Sequence, residues 1–434
     1  MESLTFAGFR TILFLEPPTE EDIAAFEDVE AIGVAGRTRS LGTGAMEAEL
    51  APVFEAFNRL GPSLVHYKTC STFDSTPDVG SIGRAIDTGA GVFGSPYVPL
   101  VVGAPALRRY CVFGNLFASS GLDSDVYRLD RHPTMQRHPV TPMDEADVRV
   151  HLGRQTDKTI ALMNTVALRS SDYSAEFSGV REAGAGVVLF DTVSDEELAR
   201  VGELVWESRE KGRTLFAAGS SGLEYALVAY WRESGELESE RDVPKADRVD
   251  QLVVVSGSCS PVTADQIAWA ESDGFRVIGL DTPSLVTPDE ADGAIERSVR
   301  EALGSLEGGA SVLLHAGRGP DDPRIPADIG ATCTNLWRRS KSEGGRVDRG
   351  ALGRVMEKVL SLSGLRRGAT AGGDTSYYVA KELGAHALEA VAPIAPGSPL
   401  CRVHSSIRGV DGCGIVFKGG QVGTRDFFGR VMQG

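Results

Sequence analysis

The sequence predicts an α/β protein of two domains, each a largely parallel β-sheet flanked by helices, with a ligand cleft between them. Three observations predict it. Short apolar runs rich in β-formers alternate with amphipathic helical stretches along most of the chain, the pattern of strands buried on both faces of a parallel sheet. That alternation stops at one polar, highly charged stretch, residues 232–249 (RESGELESERDVPKADRV), and restarts directly after it. The length of 434 residues suits two cores, so the interruption reads as a linker.

In chain order, residues 11–16 (TILFLE), 31–36 (AIGVAG), 64–68, 100–104, 159–164, 187–191 and 214–218 predict strands. Helices are expected over 50–60 and 194–211, the second opened by Ser-Asp-Glu-Glu, a cap followed by an acidic first turn. The linker is assigned to 233–247. Beyond it, 251–256, 276–281, 311–316 and 414–418 predict strands, and helices are expected from Thr263 and across 289–306. The domains are therefore 1–232 and 248–434, and a cleft between two such domains is a common ligand site. There is no internal repeat or low-complexity tract.

Hydrophobic residues make up 42% and charged residues 24%, ordinary for a globular chain. The net charge of −16 argues against a nucleic-acid partner, because phosphate backbones select basic faces. It does not argue against a nucleotide, which backbone N–H groups, a lysine and a metal ion can hold. No apolar run reaches membrane-spanning length, and the N-terminus lacks a basic region followed by an apolar stretch. Six cysteines (Cys70, Cys111, Cys259, Cys333, Cys401, Cys413) form no Cys-x-x-Cys pair. They read as reduced thiols of a cytoplasmic protein, not as a disulfide framework or zinc site.

The strongest chemical signal follows the strand at 251–256: Ser256-Gly257-Ser258-Cys259-Ser260-Pro261-Val262-Thr263, with Gln266 three residues on. Small hydroxyl-bearing residues let backbone N–H groups approach an anion, and Thr263 with Gln266 fits a capping box. An ordinary βα turn uses the same residues. The run Ala371-Gly372-Gly373-Asp374-Thr375-Ser376 leads into another helix, its glycines permitting close backbone approach and its Asp, Thr and Ser able to cap the helix or ligate a metal. The third signal is Lys418 at a strand end, followed by Gly419-Gly420-Gln421-Val422-Gly423. It lacks Walker A spacing, and such a lysine is more often simply solvated. What raises all three is their appearance in one domain, at strand ends that can converge where open α/β sheets bind ligands.

In the first domain, Lys68 through Thr76 (KTCSTFDST) place a lysine, hydroxyls and Asp74 after a strand, suited to a hydroxylated anion. Lys68 can pair a carboxylate, and Asp74 can accept a hydroxyl proton. Arg37 and Arg39 end another predicted strand, where a guanidinium can fork a carboxylate. Each is singly as well explained by a surface turn. His132 and His138 flank residues 133–137 without a third ligand in sequence, and Thr141-Pro142 reads instead as a helix start. Gly219-Ser220-Ser221-Gly222 reads as close helix–strand packing.

Taken together, Tyr67-Lys68, Asp74-Ser75-Thr76, Ser256 to Thr263 with Gln266, Gly372 to Ser376, and Phe417 to Gly423 resemble the four-carbon acid sugar kinases, in order and over essentially the whole chain. The resemblance implies a kinase that uses ATP and Mg²⁺ to phosphorylate a hydroxyl of a small acidic sugar such as threonate, erythronate or 3-oxo-tetronate. It implies an acid-sugar domain first and a nucleotide-binding domain second. Ser258, Gly372, Gly373, Asp374, Thr375, Lys418, Gly420 and Gly423 are then the nucleotide-binding candidates. Arg37, Arg39, Lys68 and Ser75 are the substrate-binding candidates, with Asp74 as catalytic base.

Two departures accompany it. The family begins with a strand ending in Asp-Asp-x-Thr-Gly, whereas this sequence opens at Met1-Glu2-Ser3-Leu4, inside the helix expected after that motif. Residues 11–16 would then be the second strand of the first domain's sheet, lacking a neighbour. The cluster from Cys70 to Thr76 is also longer than the family's Lys-x-x-Asp-Ser-Thr arrangement. A nucleotide-binding regulator without turnover is the rival reading, supported by the missing acidic pair. A nicotinamide-dependent dehydrogenase is disfavoured, since no Gly-x-Gly-x-x-Gly follows an early strand. Which acid, which hydroxyl, and whether the chain forms a homo-oligomer are left open.

Overall fold

The structure, a computed structural model, describes residues 1–119, 125–137, 141–237, 244–285, 287–319, 322 and 350–434. Its strands, numbered along the chain, begin with β1 (Thr11–Phe14) and β2 (Ala31–Val34). Then follow β3 (Leu64–Lys68), β4 (Val98–Val101), β5 (Arg109–Val112), β6 (Asn115–Ser119), β7 (Val126–Arg128), β8 (Ile160–Met163), β9 (Val187–Phe190) and β10 (Leu215–Gly219). The rest are β11 (Val253–Ser256), β12 (Arg276–Gly279), β13 (Val312–His315), β14 (Arg367–Ala371), β15 (Ala385–Ala395), β16 (Ser398–Ser405) and β17 (Gly414–Lys418).

Two compact units result. One gathers Met1–Glu16, Val29–Gly33 and Asp242–Gly434; the other gathers Pro17–Asp28 and Val34–Arg241. In the first, nine strands run in the order β12-β13-β11-β14-β17-β16-β15-β1-β2, and the first five of that order pair in parallel. Val253 and Val255 enter a core on one face of this sheet, Leu252 and Val254 a core on the other. With both faces covered, alternate residues of a strand are equally apolar, which is why these strands read as unbroken hydrophobic runs. One core takes in Val355 and Met356 of the helix Ala351–Ser363; the other takes in Ile267 of the helix Pro261–Ser272.

The second unit holds five parallel strands in the order β3-β10-β4-β9-β8, and a three-stranded antiparallel sheet β5-β6-β7. Asp191, just past β9, ties the two together. Its buried carboxylate accepts from Phe113 N at 2.6 Å, Gly114 N at 2.9 Å and Thr165 N at 3.0 Å. Gly219 and Gly222 allow the close approach anticipated for them: a Cβ on either would stand about 2 Å from a backbone carbonyl oxygen, that of Val101 (2.1 Å) or Gly103 (2.0 Å).

Four expectations are corrected. Residues 11–16 do not form a strand of the first sheet lacking a neighbour: β1 lies between β15 and β2 in the nine-stranded sheet. No helix starts at Thr141-Pro142; the next helix is Val148–Gly153, capped by Asp147, and Thr141 is buried at 1% exposure. The helix expected from Thr263 starts at Pro261, with Ser260 as its cap. Cys70, Cys111, Cys401 and Cys413 are free thiols, but Cys259 is disulfide-bonded, against the reading of six reduced thiols. His138, Pro139 and Val140 lie outside the described residues, as does part of the linker, and Cys333. Among the described residues, no helix is long and apolar enough to cross a membrane.

Candidate active site

The parallel strands of the nine-stranded sheet end in one row. Gly279 pairs with His315, His315 with Ser256, Ser256 with Ala371, and Ala371 with Lys418. The three sequence signals thus leave neighbouring strands at the same level. Glycine lets the hydroxyl side chains of one turn pack against the backbone of the next. A Cβ on Gly257 would fall 2.3 Å from Thr375 Oγ1, and one on Gly420 would fall 2.5 Å from Ser258 Oγ. Gly372, at φ +118°, occupies backbone space that side chains rarely adopt.

Hydroxyls lock this junction. Gly420 O accepts from Ser260 Oγ at 2.5 Å and from Thr263 Oγ1 at 2.8 Å. Thr263 Oγ1 also lies 3.0 Å from Ser258 Oγ. Gln266, expected in a capping box, is fully buried instead, its Nε2 donating to Val422 O and Thr424 O at 3.0 Å each. It therefore fixes the loop that contains Gly423. Ser376, expected with Asp374 and Thr375 to cap the helix or ligate a metal, donates its Oγ–H to Gly372 O at 2.8 Å and meets Thr370 Oγ1 at 2.7 Å.

Lys418 stands in the middle of this. Its side chain ends a buried strand and is 1% exposed. Nζ donates to Gly419 O at 3.0 Å and Thr263 Oγ1 at 3.4 Å, and lies 5.6 Å from the centre of the Phe427 ring. Among the described residues no carboxylate pairs with it. Burial pulls its ammonium down to about 7. Gly373 and Asp374 differ: a Cβ on Gly373 meets nothing within 4 Å, and Asp374 is exposed in the first turn of the helix Gly373–Glu382.

The five parallel strands of the other unit also end level, Lys68 beside Gly219, Gly219 beside Val101, Val101 beside Phe190, and Phe190 beside Met163. Here charges are paired. Asp74, its side chain fully buried, accepts from Arg39 Nη2 at 2.6 Å and Nε at 3.0 Å, from Thr141 Oγ1 at 3.0 Å and from Thr72 Oγ1 at 2.6 Å. Ser75 faces inward, its Oγ 3.0 Å from His151 Nε2 and accepting from Gln155 Nε2 at 2.9 Å. Arg37 is engaged with Glu49 at 3.2 Å, on the exposed side. Arg39 and Asp74 are therefore brought together, while Arg37 and Ser75 make separate contacts. Lys68 is exposed at the end of β3 and makes no ion pair among the described residues.

Sequence reasoning missed Glu224. It stands in the first turn of the helix Gly222–Glu233, and its Oε1 lies 2.8 Å from His66 Nδ1. Burial acts to raise its carboxyl, but the His66 imidazole overrides that and holds it at about 2. No local pattern announces a pair separated by 158 residues.

A sugar-binding N-terminal domain family matches residues 1–227, and a nucleotide-binding C-terminal domain family matches residues 253–428. Over its whole length the chain is 46% identical to the 3-oxo-isoapionate kinase of Paraburkholderia graminis, covering 91% of that protein. The chain belongs to the four-carbon acid sugar kinase family. The 3-oxo-tetronate kinase of Pseudomonas savastanoi pv. phaseolicola is 28% identical over 99% of this chain and 92% of its own. A solved Salmonella typhimurium LT2 protein, described as a tRNA synthase, shares the fold with a TM-score of 0.75 at 21% identity, covering 99% of this chain and 95% of its own. That likeness speaks for the fold alone. As a member of the family the chain is a phosphotransferase that uses ATP and acts on a sugar acid.

Proposed function

We propose that this kinase transfers the ATP γ-phosphoryl group to a hydroxyl of a short 3-oxo sugar acid, with 3-oxo-isoapionate and 3-oxo-tetronate as the first substrates to test. The 46% identity to the one kinase against 28% to the other favours 3-oxo-isoapionate. The observation that carries the nucleotide side is Lys418, a buried ammonium with no carboxylate partner among the described residues, set where three glycine–hydroxyl turns converge. Burying an ion costs several kcal/mol unless a counter-charge meets it, and phosphate oxygens supply one.

Phosphoryl transfer is mainly positioning and charge neutralisation. Ser258, Gly372, Gly373, Thr375, Gly420 and Gly423 would form the phosphate cradle, with Gly373 leaving room for backbone approach. Mg²⁺ normally arrives with the phosphates and adds one or two protein carboxylates. Exposed Asp374 fits that role, whereas no group of three acidic, His or Cys side chains among the described residues could hold an ion alone. In the sugar unit, Lys68 would take the carboxylate, and Asp74 would accept the hydroxyl proton while Arg39 orients it. Arg37 and Ser75 would act through the segments they hold. Such chemistry on a metabolite suits a cytoplasmic enzyme.

The test is coupled ADP release with Mg-ATP and each acid in turn: 3-oxo-isoapionate, 3-oxo-tetronate, threonate and erythronate. Turnover of at least one is expected. ATP binding by calorimetry without turnover of any acid would favour a regulator instead.

A further inference from the structure

We infer that Arg109 is a further binding residue, receiving the carboxylate of the sugar acid together with Lys68. The inference rests on the sugar-acid reading and deepens it, because neither motif nor resemblance singles out this arginine.

The fold brings Arg109 to the right place. It opens β5 immediately after the short turn Pro105–Leu107, which leaves the end of β4 where the parallel strands finish level. Its main chain is clamped to Ala104 by hydrogen bonds of 2.8 Å and 3.2 Å. The side chain curls back over the turn, Nη1 donating to Leu107 O at 3.1 Å and Arg108 O at 3.2 Å. The guanidinium consequently stays at the strand-end side of the sheet. It is close enough to Cys70, in the loop that carries Asp74, and to His132 for each pair to act electrostatically on one another.

What it lacks is an anion. Arg109 is half-buried, its Nε is shielded from solvent without a hydrogen-bond partner, and among the described residues no carboxylate pairs with it. Burial pushes its guanidinium below the ordinary arginine range. Every other candidate arginine of this unit has a partner: Arg37 has Glu49, and Arg39 has Asp74. A desolvated guanidinium with an unsatisfied Nε–H is costly in the folded protein and persists where a ligand completes it. Its planar fork matches a carboxylate with two parallel hydrogen bonds, which Lys68, a point charge, cannot provide. A short sugar acid carries one such group, and fixing it sets the orientation of its hydroxyls.

The experiment compares wild type, Arg109→Met and Arg109→Lys, all as full-length protein. Calorimetry measures threonate and its neutral counterpart threitol without nucleotide, and ATP separately. Wild type should prefer threonate. Arg109→Met should weaken threonate roughly ten- to a hundredfold, as expected for a charge-assisted hydrogen bond, with threitol and ATP unchanged within about twofold. Arg109→Lys should recover part of the loss. The melting temperature of Arg109→Met should not fall, since an uncompensated charge has been removed; a purely structural arginine would lower it. Equal threonate binding in wild type and Arg109→Met, or no threonate binding by wild type, overturns the inference. Arg109-dependent threonate binding without ATP-dependent turnover of any acid would instead leave this site standing and bring down the kinase reading.

Discussion

Among the described residues Lys418, at the end of β17, has only neutral partners, Gly419 O, Thr263 Oγ1 and the Phe427 ring. In the other unit, Asp74 past the end of β3 meets Arg39, and Glu224 past the end of β10 meets His66. Both places are strand ends of a parallel sheet, yet the buried charge of one is an unbalanced cation, and the buried carboxylates of the other are paired. On the proposed assignment the difference follows the ligands. ATP brings several negative charges, so a cation held ready, with its neighbours fixed, meets them without reorganisation. A sugar acid brings one charge and several hydroxyls, which require oriented donors and acceptors more than net charge. Fixed pairs keep Asp74 oriented, and Lys68 and Arg109 are the groups proposed for the single carboxylate.

The largest effect should come from removing the unbalanced cation. Lys418→Met should weaken ATP by about 1.5–3 kcal/mol, the range for a hydrogen bond to a charged group, and leave adenosine nearly unchanged. Calorimetry with both ligands decides it. Equal losses would mean that the lysine supports the loop and not the phosphates, and the contrast between the two strand-end rows would lose its basis.

A smaller effect should follow from forcing the three turns apart. Gly257→Ala places a methyl 2.3 Å from Thr375 Oγ1, so the helix Gly373–Glu382 or the 257–260 turn must shift. Overpacking of this kind costs about 1–3 kcal/mol. Urea unfolding should show that loss, and ATP affinity should fall with it. Gly373→Ala, whose Cβ meets nothing within 4 Å, should leave stability within about 0.5 kcal/mol. If Gly373→Ala nevertheless weakens ATP, the ligand approaches that backbone. Indifference of both variants to ATP would move the nucleotide away from this junction.

How much of this was legible in the sequence depends on distance along the chain. The central parallel strands were readable because both their faces are buried, leaving continuous apolar runs such as Val253–Ser256. The three turns were readable because glycine and hydroxyl residues directly follow those strands. Thr263 and Gln266 were placed correctly in the junction but given the wrong job: Ser260 caps the helix, and Gln266 reaches across 156 residues to Val422. Likewise Thr141 read as a helix start because Pro142 follows it, when its hydroxyl serves Asp74. The place of β1 was misjudged since pairing with β15 joins residues more than 370 positions apart, as in Ile12 with Glu389, and no local pattern encodes a partner so remote. Arg109 was invisible for a related reason: an arginine opening a short strand acquires meaning only when its surroundings hold no acid.

The most discriminating effect is in pH. In the folded protein Lys418 titrates at about 7, against roughly 10.4 when unfolded. Between those values the unfolded chain holds a proton that the folded chain lacks, so stability rises with pH, by at most about 1.4 kcal/mol per pH unit. Below about pH 7 both forms are protonated and the burial cost is fully present. Glu224 behaves oppositely. Its folded carboxyl titrates at about 2, below the unfolded value near 4.3, so its contribution is present above about pH 4.3 and is lost as pH falls towards 2. Urea unfolding of nucleotide-free wild type and Lys418→Met at about pH 7 and about pH 9 isolates the lysine from other titrating groups. The Met variant should be the more stable at the lower pH, with its advantage shrinking at the higher. Saturating Mg-ATP should abolish that trend, because phosphate oxygens then balance the ammonium. Glu224→Gln should carry a deficit that narrows as pH falls towards 2. A difference between wild type and Lys418→Met that ignores both pH and ATP would show that the buried ammonium is already balanced, and the two strand-end rows would then handle charge alike.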